Sequence, residues 1–200
     1  MIQLINVSKT IRSNVVLKNI NFSFEEGQCI VITGHNGSGK TMLLRMICGL
    51  ISPDTGEVKQ SRDYKYGVII ETPSFLENES ALYNLEFLAS LNKCINKTQI
   101  LYYLEMFSLL DVKDKKVKTF SLGMKQRLAL CQALMENPDI ILLDEPFNAL
   151  DEKNLAIVCN LIAKCKKDGK TIIIAAHGHI PESCNIDRVI KMSDGEIIKN

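Results

Sequence analysis

The chain has 200 residues, a length that suits one domain, and its 46% hydrophobic content supplies a core, which excludes an intrinsically disordered segment. With 24 basic against 23 acidic side chains it lacks the positive excess on which sequence-independent nucleic-acid binding depends, so no nucleic acid is expected as a partner. No run reaches the roughly 18 apolar residues of a membrane span, and no basic n-region followed by an apolar h-region opens the chain, so spanning and secreted readings find no support.

Along the chain, Ile2, Leu4 and Asn6 alternate with Gln3, Ile5 and Val7, and the alternation returns from Val15 to Phe24 through Leu17, Ile20, Phe22 and Phe24. Two or three antiparallel strands are therefore predicted ahead of residue 34. The apolar run Cys29 to Thr33 reads as a buried strand, and Leu43, Met46, Ile47 and Leu50 fall at helical spacing just after it. Asp54-Thr55-Gly56 reads as a turn and Tyr66 to Glu71 as a short strand. From Thr72 to about Lys118 the apolar spacing turns helical, with Leu82, Leu85, Phe87 and Leu88 and then Leu101, Leu104, Met106 and Leu109, which predicts an insert of two or three helices. A helix carrying Met124, Leu128, Cys131 and Met135 follows, then the strand Ile140 to Leu143. A helix with Leu155, Val158, Ile162 and Cys165 leads to the strand Ile172 to Ala176, and Val189 to Ile198 closes as a hairpin turning at Asp194-Gly195. Strands alternating with helices imply a mostly parallel α/β core, whose ligands sit at the carboxyl ends of the strands. The seven cysteines, Cys29, Cys48, Cys94, Cys131, Cys159, Cys165 and Cys184, are scattered, odd in number and without a C-x-x-C pair, and read as buried thiols of a reducing cytosol.

The chemistry concentrates at those strand ends. Gly34, His35, Asn36, Gly37, Ser38, Gly39, Lys40 and Thr41 spell G-x-x-x-x-G-K-[ST] between a strand and a helix, the context of a phosphate-binding loop. Its glycines turn backbone N–H groups inward around a phosphate, Lys40 reaches the β- and γ-phosphates, Thr41 offers its hydroxyl to Mg²⁺, and the helix points its positive end at the anion. His35 occupies a variable position and is expected to face solvent. The strand Ile140 to Leu143 delivers Asp144, a candidate Mg²⁺ ligand, and Glu145, a candidate base for the attacking water. His177-Gly178-His179 suggests a metal pair, but no third ligand accompanies it, and a strand-end histidine beside a nucleotide already has a role.

Phe120-Ser121-Leu122-Gly123-Met124-Lys125-Gln126-Arg127 resembles the signature motif of ATP-binding-cassette (ABC) ATPases, usually written L-S-G-G-Q-K-Q-R. With Asp144-Glu145-Pro146 and Asn148-Ala149-Leu150-Asp151 it reproduces that family's order and spacing over essentially the whole chain. The resemblance implies a phosphate-loop ATPase fold of ABC type: residues 1–71 and 120–200 as a RecA-like core with an N-terminal antiparallel β part, and 72–119 as a helical subdomain. It implies a head-to-tail dimer in which ATP and Mg²⁺ on one phosphate loop are sealed by Ser121 and Gly123 of the other copy, with Asp151 at the interface. It further implies that His177 contacts the γ-phosphate and that Glu71 stands where the family usually has glutamine, beside the metal and the γ-phosphate, where its charge either ligates Mg²⁺ directly or slows ATP closure by repulsion. Ile70-Glu71 is similar to a variant found in ATPases of antibiotic-resistance and lantibiotic-immunity exporters.

The implied function is ATP hydrolysis powering a membrane transporter, an exporter by that resemblance, whose permease is a separate chain, with this subunit peripheral on the cytoplasmic face. Phe75 and Leu76 are candidates for docking that permease, with packing of the insert as the competing role. A soluble ABC-type ATPase acting on ribosomes or chromosomes is the rival reading. Leu122 and Met124 depart from the signature without removing Ser121 or Gly123. The first hairpin, at Lys9-Thr10-Ile11-Arg12, lacks the aromatic residue on which adenine usually stacks, a contact worth on the order of 1–3 kcal/mol. GTP should therefore compete within about tenfold of ATP, as competition binding would show; a preference of about a hundredfold or more would place the base contacts elsewhere.

Overall fold

The computed structural model describes residues 1–71, 74–92, 95–148, 150–178 and 180–198. Strands β1 (Ile2–Ile11) and β2 (Asn14–Phe24) form an antiparallel pair, β3 (Cys29–Thr33) leads into the phosphate loop and α1 (Lys40–Ile47), and β4 (Thr55–Gln60) and β5 (Tyr66–Ile69) follow. Two helices, α2 (Ala81–Asn92) and α3 (Lys97–Met106), and two 3₁₀ turns, Leu110–Val112 and Val117–Thr119, precede α4 (Leu122–Leu134). The chain closes with β6 (Ile140–Asp144), α5 (Glu152–Lys167), β7 (Thr171–Ala176), the 3₁₀ turn Glu182–Cys184, β8 (Arg188–Ser193) and β9 (Glu196–Ile198).

The strands make two sheets, a three-stranded one in the order β2-β1-β4 and a six-stranded one in the order β5-β6-β7-β3-β8-β9. In the larger sheet every neighbouring pair is parallel except β8 with β9. Central strands of such a sheet are covered on both faces, which is why β3, β6 and β7 are continuously apolar rather than alternating. Their odd and even residues separate cleanly. Cys29, Val31, Ile141, Leu143, Ile172 and Ile174 face a cluster with α2, α3, α4 and α5, whereas Ile30, Ile32, Ile140, Leu142 and Ile173 face α1 and the antiparallel sheet. The mostly parallel core, the antiparallel β part and the helices between strands are thus as the sequence implied.

Three local readings are corrected. Residues 55 and 56 are not a turn but the start of β4, which pairs with β1 and supplies the third antiparallel strand, so only two such strands precede the phosphate loop. Helix α1 stops at Ile47, and Leu50 is 66% exposed rather than on its buried face. The stop is a complete Schellman motif: Gly49, at φ +76°, donates from its N–H to the carbonyl of Met46, and the N–H of Leu50 donates to that of Arg45. In β1 the alternation breaks at Asn6, at φ +50°, where the ladder shifts register, so Val7 follows Ile2 and Leu4 into the core. The closing hairpin turns at Asp194-Gly195 as expected, with both residues at positive φ.

Cys29, Cys131, Cys159 and Cys184 are buried and Cys48 and Cys165 half-buried; Cys94 lies outside the described residues. Burial pushes the Cys29 thiol up to about 12 and that of Cys165 to about 11, which keeps both protonated and unreactive.

The tightest backbone approach is at Gly67 in β5. A Cβ there would lie 2.1 Å from the carbonyl oxygen of Ala133 in α4 and 2.8 Å from Pro138 Cγ. Gly67→Ala is expected to destabilise the fold by about 1–3 kcal/mol through overpacking, read as a lower urea midpoint at unchanged slope.

Candidate functional site

Three adjacent strands bring the chemistry to one edge. Thr33, the last residue of β3, pairs with Ala176 at the end of β7, and Asp144, the last residue of β6, pairs with Ala175. The phosphate loop, Glu145 and His177 therefore emerge side by side. Glu145 leaves its strand at φ +51° while its N–H still donates to the carbonyl of Ala175, and this left-handed step turns the side chain along the edge.

Residues 34–39 fold over Lys40, which is only 6% exposed. Its ammonium donates to the carbonyls of Gly34 at 2.8 Å and His35 at 3.2 Å and lies 3.8 Å from Glu145 Oε1. Gly39 sits at φ +102°, with room for no side chain because a Cβ would meet the Val16 carbonyl at 2.7 Å. Ser38 is fully buried and its hydroxyl has no hydrogen-bond partner, leaving a donor free for a phosphate oxygen. Asn36 and His35 are exposed, His35 as expected, with its ring near Ser193 at 3.4 Å on the β8–β9 turn.

Thr41 opens onto the second feature. Its hydroxyl donates to Asp144 Oδ2 at 2.8 Å, while Asp144 Oδ1 is buried with no partner at all. A carboxylate oxygen without a donor in a buried position, next to a threonine hydroxyl, is a fitting ligand set for a hard cation such as Mg²⁺. Among the described residues no group of three or more His, Cys, Asp or Glu side chains could hold a metal unaided, so a cation here would share its coordination with phosphate oxygens and water. Burial pushes the Asp144 carboxyl above its ordinary value, the charges of Glu145 and Glu71 add to that, and the Thr41 hydrogen bond and Lys40 oppose it.

Glu145 and His177 are locked together. Glu145 Oε2 accepts from the His177 N–H at 3.2 Å and lies 2.8 Å from His177 Nδ1. A carboxylate oxygen can only accept, so Nδ1 carries the proton, which leaves Nε2 as the ring nitrogen free to meet a ligand. His179 lies outside the described residues, and with it the suggested metal pair. Glu71, at φ +63° two residues beyond β5, is bound by the Arg45 guanidinium of α1 rather than by Thr41 or Asp144.

The remaining candidates stand elsewhere. Ser121 caps α4, its hydroxyl accepting from the Met124 N–H, and Asp151 caps α5. Among the described residues no hydrogen bond or ion pair joins Ser121, Gly123 or Asp151 to the phosphate loop, so one copy of the chain does not assemble all the predicted site residues. Of the docking candidates, Phe75 packs against the buried helical cluster, while Leu76 is exposed with its backbone held at both N–H and carbonyl by Asn84.

Two participants escaped the sequence reading. Arg45 stands four residues after Thr41 on α1, a spacing that marks a shared face, but its carboxylate partner comes from a distant strand end. Asn154, which bonds Asp151, lies at the third position of α5, where a D-x-x-N capping pattern was the available signal.

The model of the ABC transporter family matches residues 17–148. The chain is 40% identical to the ABC transporter ATP-binding protein YybJ of Bacillus subtilis, over 98% of this chain and 94% of that one. It is 32% identical to the lantibiotic transport ATP-binding protein SrtF of Streptococcus pyogenes, over 88% of this chain and 80% of SrtF. Identity to the bacitracin transport ATP-binding protein BcrA of Enterococcus faecalis is 31%, over 96% and 74%. In three dimensions the chain is similar to the ATP-binding cassette MJ0796 in a dimeric post-hydrolysis state with ADP and Pi, with a TM-score of 0.88, 30% identity, and coverage of 100% of this chain and 97% of that one.

The raised Asp144 carboxyl sets a sign for stability. The unfolded chain releases this proton first, so folded-state stability declines as pH rises from the ordinary aspartate value through the folded one. Asp144→Asn should raise the melting temperature of the nucleotide-free protein at pH 7, and the gain should shrink toward pH 4, as thermal unfolding at the two pH values would show.

Proposed function

Because the chain belongs to the ABC transporter family, as an ATP-binding and ATP-hydrolysing cassette, we propose that it powers a membrane exporter whose membrane-spanning part is a separate polypeptide. Two relatives named for transport of lantibiotics and bacitracin support the exporter reading. No helix among the described residues is long and apolar enough to cross a membrane, and the proposed location is peripheral, against a permease on the cytoplasmic face.

The observation that carries the chemistry is the convergence of Glu145, His177 and Lys40 at the ends of three paired strands. In the proposed mechanism the Lys40 ammonium exchanges the Gly34 and His35 carbonyls for β- and γ-phosphate oxygens of ATP, and the Ser38 hydroxyl gains the partner it lacks. Thr41 and Asp144 would hold Mg²⁺, which when bound screens the charge on the phosphates. Glu145 takes the proton of the attacking water, and His177, oriented through Nδ1, turns Nε2 to the γ-phosphate. Ser121, Gly123 and Asp151 complete the site from a second copy or a related cassette, head to tail. Glu71 adds negative charge beside the metal site, and Arg45 balances it.

For permease docking, the exposed side chains favour a refined assignment. Tyr83, Phe87 and Leu91, at intervals of four along α2, form an apolar stripe on the surface near Leu76, whereas Phe75 belongs to the packing of the helices.

Glu145→Gln should lower hydrolysis by about 10²–10⁴-fold while nucleotide binding persists. Purified from its native cells in mild detergent with Mg-ATP, that variant should bring with it a polytopic membrane protein lacking a phosphate loop. Near wild-type turnover would overturn the assignment of the base. Ribosomal or chromosomal partners with no membrane chain would overturn the transporter.

A further inference from the structure

Two segments of the proposed partner-facing edge meet in one side chain. Asp151 caps α5, and its Oδ1 accepts both from the Asn154 backbone N–H at 2.8 Å and from Asn154 Nδ2 at 2.9 Å. The same carboxamide covers Gly123: a Cβ at that glycine would stand 2.9 Å from Asn154 Nδ2 and 3.3 Å from its Cγ. Gly123 lies two residues beyond Ser121, in the first turn of α4. Asn154 is half-buried, so these contacts are made partly out of solvent, whereas Ser121 and Asp151 are exposed.

We propose that Asn154 is a positioning residue that fixes Asp151 and the Ser121–Gly123 turn as a single unit. The inference rests on the head-to-tail reading above. In that reading the unit is the half-site which each copy presents to the nucleotide of the other. The chemistry required is narrow. The side chain at 154 must carry a donor to bind the Asp151 carboxylate, and the flat carboxamide also lies against Gly123. Aspartate at 154 has the right shape but no donor and sets two carboxylates against each other; alanine leaves the glycine uncovered and the carboxylate held by one bond. Both bonds from Asn154 fall on Oδ1, so Oδ2 of Asp151 receives no hydrogen bond among the described residues and is available across an interface.

The test uses the full chain carrying Glu145→Gln, which slows hydrolysis and lets a closed dimer accumulate with Mg-ATP. Asn154→Ala and Asn154→Asp are added separately. Sedimentation measures dimerisation, and a fluorescent ATP analogue measures nucleotide affinity at concentrations where the chain is monomeric. Both variants should keep nucleotide affinity within about twofold, because Asn154 touches nothing in the phosphate loop. They should weaken the ATP-dependent dimer about tenfold or more, the loss of one hydrogen bond to a charged group being of that size. Asn154→Asp, isosteric with the native residue, keeps the test decisive if the alanine variant folds poorly. Unchanged dimerisation in both variants would overturn the positioning role while leaving the head-to-tail reading in place. A parent that stays monomeric with saturating Mg-ATP would overturn the head-to-tail reading and this inference together.

Discussion

The register of three neighbouring parallel strands governs everything at the functional edge. Because Asp144 pairs with Ala175 and Thr33 with Ala176, the ends of β6, β7 and β3 are level. A slip of one residue in any of them would reverse which side chains face each apolar cluster and move Glu145 out of reach of Lys40 or of His177. The strict separation of odd and even residues between the two clusters forbids that slip. The apolar content of β3, β6 and β7 is thus a positioning device for polar groups at their carboxyl ends: Thr33 and Asp144 are the last residues of β3 and β6, and His177 follows the last residue of β7.

At that edge the fold assembles groups that would not coexist in an apolar core. Lys40 is almost fully buried, and two loop carbonyls and the Glu145 carboxylate compensate its charge. Asp144 has one oxygen satisfied and one not, and burial resists its ionisation. Ser38 keeps an unpaired hydroxyl. These unmet requirements lie within one loop and the strand beside it, and phosphate oxygens with a divalent cation would meet them together. A ligand that supplied those partners would stabilise the fold in proportion to its binding free energy.

The sheet core was legible because continuous apolar runs and motif spacing carry the same message about β3, β6 and β7. Strand β4 was not, since its six residues bury little beyond part of Val58 and its start resembles a turn. The end of α1 was misread although Gly49 announced it, because the apolar spacing continued to Leu50. Within the site, the residues of the phosphate loop and the carboxylates at the end of β6 could be named from order alone. Arg45 could not, because its partner Glu71 comes from another element; the local bond of Asn154 to Asp151 carried a signal, but its contact with Gly123 of α4 exists only once the chain is folded.

Gly67 sets how closely α4 can approach the sheet. With the carbonyl of Ala133 pressed against its backbone and Pro138 beside it, β5 and the far end of α4 have no side-chain layer between them to shear. The strand leads to Glu71 at one end of this contact, and the helix begins at Ser121 at the other. The two elements therefore meet backbone to backbone at this crossing, and any side chain at residue 67 would have to push α4 away from the sheet.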